Sequence, residues 1–182
     1  SRCYSSGSVT ASRYLGGLLG YVNGVTVENC YSQSSVSGVA DPLGGEADEL
    51  GGLIGRVNEA TSINTVNDCY YAGSISPAAG MSNVGGLVGL YEGGTFSNCF
   101  WDTQISGQLT SPVGIGKTTS EMKRLSTFSQ AGWDFSDVWA DGQYQTYPYL
   151  RLRPGGDING DGLVDLKDFA IMAEQWLITG SL

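Results

Sequence analysis

Histidine is absent from this 182-residue chain, and basic residues are few: nine Lys and Arg stand against 18 Asp and Glu, a formal net charge of −9. Without His, and with four Cys never spaced as CxxC, a zinc-type site lacks its ligands. The charge balance repels nucleic acid and anionic membrane surfaces, which sets a nucleic-acid partner aside. No apolar run approaches the roughly 18 residues of a membrane-spanning helix, and no signal peptide opens the chain. The first residue, Ser1, falls inside a repeat, so the chain reads as a processed or excerpted piece with any secretion signal upstream. Hydrophobic residues still make up 41%, enough for one domain with a core plus an appendage.

What is present first is a repeat. LGGLLGYV at 15–22, LGGLIGRV at 50–57 and VGGLVGLY at 84–91 alternate with CYSSGSV at 3–9, CYSQSSV at 30–36, CYYAGSI at 69–75 and CFWDTQI at 99–105. Cys3, Cys30, Cys69 and Cys99 each precede an aromatic by one residue and Val9, Val36, Ile75 or Ile105 by six. Six is even, so on an extended strand both positions share a face. Val27, Val66 and Phe96 stand three before their Cys, and strict alternation cannot bury both. A corner at Asn29, Asp68 and Asn98, residue types that tolerate turns, brings both inward. The spacing between blocks varies, with a long loop at 39–49, as expected where insertions sit only at the surface.

These features predict an all-β fold: a parallel β-solenoid of about three coils over 1–107, with strands of successive coils roughly 4.8 Å apart and Gly pairs where backbones bend or approach closely. The same residues, GGLVG-type segments with their Cys-Tyr blocks, resemble the GLUG repeat of bacterial surface and secreted proteins. That resemblance implies a secreted or cell-surface (extracellular) location and an adhesive or structural role, and it brings no reaction. The four Cys fall at one repeat position and read as a column of small buried thiols, although neighbouring coils would also bring them within disulfide range.

Residues 108–150 break the repeat and concentrate aromatics, among them Phe128, Trp133, Phe135, Trp139 and Tyr147. They read as a cap over the end of the stack, where core and unpaired backbone would otherwise be exposed; the run also resembles the tail of GLUG-repeat proteins. GIGKTTS at 114–120 is not a phosphate loop, since Ser111 stands where the first Gly belongs. Thr118 and Glu121 instead form a capping box that opens a helix near 119–130.

RLRPGG, 151–156, reads as a linker, and 157–182 as a calcium module. Calcium takes six to eight hard oxygens, and a twelve-residue loop supplies them at positions 1, 3, 5, 7, 9 and 12. DINGDGLVDLKD offers Asp157, Asn159, Asp161, the Leu163 carbonyl, Asp165 and Asp168, with Gly162 at the sharp turn. Asp at position 12 resembles the loop of a type I dockerin repeat, over 157 to about 178. Dockerins carry two such repeats and this chain has one. The apolar stripe Phe169, Met172 and Trp176 on the helix after the loop therefore needs a surface, either the aromatic cap or another molecule.

Together these readings describe a non-enzymatic structural or adhesive module with a calcium-ordered docking helix. Its partner is another copy, assembling head-to-tail into filaments, or a cohesin-like surface protein. Two alternatives remain. One is a glycan-binding accessory domain using Trp101 or Trp139. The other is a calcium-dependent polysaccharide lyase, for which the repeats hold only Arg2, Arg13 and Arg56 as bases.

Overall fold

The computed structural model describes residues 2–40, 49–58, 63–151 and 166–179, with side chains to Ala173 in the last segment. Most of the 39–49 loop therefore lies outside the described residues.

Three repeats contribute five short strands each. The first holds β1 (Cys3–Ser5), β2 (Ser8–Ala11), β3 (Leu15–Gly16), β4 (Leu19–Val22) and β5 (Thr26–Glu28). The second holds β6 (Cys30–Ser32), β7 (Ser35–Gly38), β8 (Glu49–Gly51), β9 (Ile54–Val57) and β10 (Thr65–Asn67). The third holds β11 (Tyr70–Tyr71), β12 (Ile75–Ser76), β13 (Asn83–Gly85), β14 (Val88–Tyr91) and β15 (Thr95–Ser97). Equivalent strands pair in parallel, giving five short sheets in which every strand of the first repeat lies at an edge. The register keeps like with like: Cys3 opposite Cys30, Val9 opposite Val36, Leu15 opposite Leu50 and Val66 opposite both Val27 and Phe96. The chain is thus mainly short parallel sheets, as an all-β reading requires.

The corners fall where expected. Asn29, Asp68 and Asn98 adopt φ of 53°, 52° and 53°, a left-handed conformation that short polar side chains tolerate best after glycine. Each reversal lets Val27 or Val66 and the next Cys enter one core, joined by the partly buried Phe96. Cys30, Cys69 and Cys99 are buried, Cys3 is exposed, and none of the four is in a disulfide. Burial pushes the Cys69 thiol well up, which keeps it neutral and unreactive.

The Gly pairs serve close approach. A Cβ on Gly17, Gly52 or Gly86 would run into Ser32, Tyr71 and Trp101 respectively. These are the inward residues of successive strands in one sheet, Ser32 facing Tyr71 and Tyr71 facing Trp101. The second Gly of each pair is therefore the floor on which the next repeat's inward side chain rests.

The fourth Cys block departs from the pattern. After β16 (Phe100–Asp102) the chain turns into α1 (Thr103–Ser106), and Ile105, expected inward like Val36, is exposed. The cause is Asp102, whose carboxylate caps α1 by accepting from the Gln104 and Ile105 N–H groups and so diverts the strand. The chain returns as β17 (Ile115–Lys117), which adds a fifth strand beside β16. On the way, the Gly86 N–H donates to the Thr110 carbonyl and the Leu87 and Val88 N–H groups donate to Ser111 Oγ, so 107–117 covers this end of the repeats.

The aromatic segment sits elsewhere than expected. It packs on the outward face of the five-stranded sheet, where Tyr31, Tyr70 and Phe100 form one core with Met122, Phe128, Trp133, Trp139 and Leu150. The single helix expected near 119–130 is two: α2 (Thr119–Met122), opened by the Thr118–Glu121 capping box, and α3 (Leu125–Ser129). Met122 and Phe128 are both fully buried, yet six positions on one straight helix are rotated by about 240°. A break at Arg124, which is extended, turns both toward the sheet. β18 (Trp139–Ala140) and β19 (Tyr149–Leu150) form an antiparallel pair. Arg151, expected as the first linker residue, belongs to this unit: its guanidinium donates to the carbonyls of Trp139 and Phe135. The last described element is α4 (Leu166–Thr179).

Candidate functional site

Of the six expected calcium ligands, Asp157, Asn159, Asp161, Leu163 and Asp165 lie outside the described residues. Asp168 is described: it stands in the first turn of α4 and is 2% exposed. Among the described residues no group of three or more metal-ligating side chains occurs. On α4, Phe169 is 61% and Met172 43% exposed, and the side chain of Trp176 lies outside the described residues.

The open end of the repeats is the second candidate. A groove of about 340 Å³ is lined by Cys3, Leu18, Leu19, Val22, Val25 and Val27, with Tyr21, Thr26 and Cys30 completing it. These side chains head the interior columns, since Leu19 faces Ile54 and Ile54 faces Val88 in register, as Val22 faces Val57. The opposite end carries β17 and the 107–117 segment, so the two ends differ in chemistry.

A third feature is the joint between repeats and aromatic unit, which the sequence reading missed. Asp102 is fully buried. Its Oδ1 accepts from Gln104 N (2.9 Å), Ile105 N (3.0 Å) and Thr119 Oγ1 (3.0 Å), and its Oδ2 from the Tyr147 hydroxyl (2.7 Å). The Tyr147 phenol is held above its ordinary range by burial and then by the Asp102 bond. A signal was present in the sequence: Asp102 precedes TQIS and then Gly107, the cap and left-handed stop of a one-turn helix. Two tryptophans complete the joint at the corners, Trp139 Nε1 donating to Asn29 Oδ1 (3.1 Å) and Trp133 Nε1 to the Asn98 carbonyl (3.0 Å).

Trp101 and Trp139, considered as a glycan platform, are 5% and 0% exposed; both are core, and that siting is corrected. The lyase bases are not brought together. Arg56 is clamped between Glu49 (3.3 Å) and Glu92 (3.0 Å), its charge held chiefly by the Glu92 hydrogen bond. Arg2 reaches the Asp137 carbonyl on the aromatic unit instead.

No family model and no solved structure matches the chain. Among curated proteins, the chain is similar to the "Putative Gly-rich membrane protein" of Evansella cellulosilytica, 36% identical over 124 residues. The match spans 60% of this chain and 14% of that protein's length. The name corrects the expectation of a secreted or cell-surface (extracellular) location, because the relative is described as a membrane protein. No helix among the described residues is long and apolar enough to cross a membrane, which says nothing of a β-barrel.

Proposed function

We propose that this chain is a non-enzymatic structural module, a parallel β-solenoid segment that stacks on a further coil of its own kind within a larger membrane-associated protein. The observation that carries this is the apolar groove at the end where all five strands of the first repeat are edges; at the other end four sheets also stop at edge strands, but β17 extends the fifth and Thr110 and Ser111 bond to Gly86, Leu87 and Val88. Exposed edges with an open core favour pairing with another strand set. The interior columns fix what fits there, a coil with Leu, Ile or Val after a Gly pair and a Cys-aromatic strand. The similar membrane protein, much longer than the matched stretch, supports membership in a larger assembly.

The 157–178 segment serves this module as a calcium-ordered docking element. The hard-oxygen donor set and the exposed Phe169 and Met172 support that reading, with a second copy or a cohesin-like protein as partner.

The stacking test uses Cys3, the one exposed thiol of four. In the chain as it stands, one thiol reacts with a thiol reagent under native conditions and four react after unfolding. Fusing a copy of residues 69–98, carrying Cys69→Ser so that it adds no thiol, directly ahead of Cys3 supplies one coil. Protection of Cys3 together with a higher Tm is the expected result; a reactive Cys3 beneath a protease-sensitive extension overturns the reading.

A further inference from the structure

Beyond that structural role, we propose that the cleft between the repeat turns and the aromatic unit binds an acidic saccharide. Its volume is about 400 Å³, within the span of small-ligand sites. Its walls come from separate stretches of chain: Gln33 and Ala72 from turns of successive repeats, Ile105 from α1, Lys123 from the end of α2, and Gln145, Thr146 and Tyr147 from the turn before β19.

The lining carries one cation and no anion. In a chain with 18 acidic residues, no carboxylate among the described residues lines this cleft, and Lys123 is the one charge in its wall. The ammonium stands 5.6 Å above the Tyr147 ring, so the cation rests on an aromatic face in a wall that holds no acid. Asp102, which accepts from the Tyr147 hydroxyl, is fully buried and spent on its four hydrogen bonds. The amides of Gln33 and Gln145 and the Thr146 hydroxyl supply both donors and acceptors, which suits vicinal hydroxyls. Ala72 and Ile105 offer apolar surface to the C–H face of a ring.

The wall is also held in place. Gln143 and Tyr144 are consecutive non-glycine residues in the left-handed region, at φ of 49° and 64°. The turn is tied by Gln143 N–H to Asp141 Oδ1 and by Gln145 and Thr146 N–H to the Gly142 carbonyl. Such backbone is sustained only where its surroundings over-determine it, and here it presents Gln145 and Thr146 to the cleft. A ligand with one carboxylate and several hydroxyls meets all of these groups at once: the carboxylate on Lys123, the hydroxyls on the amides.

The probe is trigalacturonate, with the neutral trisaccharide cellotriose as the uncharged control. Both are titrated calorimetrically into the full chain with chelator present, so that the calcium loop plays no part. Trigalacturonate binds and cellotriose binds at least about tenfold more weakly, the worth of one charge-assisted hydrogen bond. Lys123→Gln, which keeps the stem over Tyr147, brings trigalacturonate to the cellotriose level, and Gln145→Ala weakens it severalfold with Tm unchanged. No heat with trigalacturonate, equal binding of the two sugars, or full binding by both variants overturns the proposal.

Discussion

Asp102→Ala removes the acceptor for four donors drawn from α1, α2 and the turn before β19. Hydrogen bonds to a charged acceptor contribute about 1.5–3 kcal/mol each, but bonds sharing one carboxylate are not additive. The N-cap alone accounts for about 1 kcal/mol, and leaving the half-buried Tyr147 hydroxyl unpaired costs about 1–3 kcal/mol more. Together these give about 2–4 kcal/mol. Asp102→Asn separates the components: Oδ1 still caps α1, while the new NH2 cannot accept from Tyr147. Its loss is about 1–2 kcal/mol, and Tyr147→Phe in that background adds little. In urea, at a slope of about 2 kcal/mol per M, Asp102→Ala moves the midpoint down by about 1–2 M and Asp102→Asn by about 0.5–1 M. Tryptophan fluorescence tracks Trp133 and Trp139 in the aromatic unit, and circular dichroism tracks the sheets. A loss below about 1 kcal/mol for Asp102→Ala, or equal losses for the Ala and Asn variants, refutes the joint as described.

Alkali should unfold the protein. Tyr70 and Tyr71 are raised above their ordinary value of 10.0 chiefly by burial, as are Tyr31 and Tyr147. The folded state holds these protons more tightly than the unfolded one, so stability is full below pH 10 and declines as pH rises beyond it. Tm against pH is flat through neutrality and falls above about 10; complete tyrosinate absorbance in a folded protein at that pH contradicts this. Gly86→Ala drives a methyl into the Trp101 indole and destabilises by about 1–3 kcal/mol. In a Trp101→Ala background the same change costs much less, and strict additivity in the thermal melts contradicts the packing account. Calcium is expected to bind the wild-type chain and to increase its helical signal, and Asp157→Ala to abolish both with the thermal transition of the repeats unchanged. Absence of binding heat in the wild type, or collapse of the sheet signal in the variant, rejects an independent calcium tail.

The repeats were legible because a recurring sequence tests itself. Cys with an aromatic after it and an apolar residue three before, Val27, Val66 or Phe96, recurs at fixed offsets, and no alternating strand accommodates both spacings without a reversal. The Asn29, Asp68 and Asn98 corners come from that geometry alone. The fourth block shows where such regularity ends. CFWDTQI satisfies the spacing, but Asp102 prefers to cap a helix, and one side chain overrules the pattern for Ile105. The expected calcium ligands other than Asp168 fall outside the described residues, so that reading still stands on donor chemistry.

The placement of the aromatic unit was not legible because aromatic content shows that a segment has a face to bury without saying against what. Two surfaces competed, the end of the stack and its flank. The flank won because Tyr31 and Tyr70, with rings 4.9 Å apart and 1° from parallel, make a flat apolar strip that Trp139 and Phe128 extend. The pattern was in the sequence as the aromatic after each Cys, whose side chain must point out if Cys points in.

The inward residues of that same sheet give the stack a direction. Ser5, Ser32, Tyr71 and Trp101 stand in register, small at the open end and largest where the repeats are covered. Each of the last three rests on the Gly pair of the repeat before it, so its size sets how much space remains for the next coil. Ser32 fills little, and Ser5 turns its hydroxyl to the Gly17 carbonyl (2.6 Å). Trp101 instead spans the floor above Gly86 and ties its indole N–H to the Gln108 carbonyl (3.0 Å) within the covering segment. A further coil on that side would have to displace the indole and β17 together, whereas one on the Cys3 side displaces neither. On the stacking proposed above, a further coil therefore meets fewer obstacles at the Cys3 side than at the side where the Trp101 indole and β17 stand.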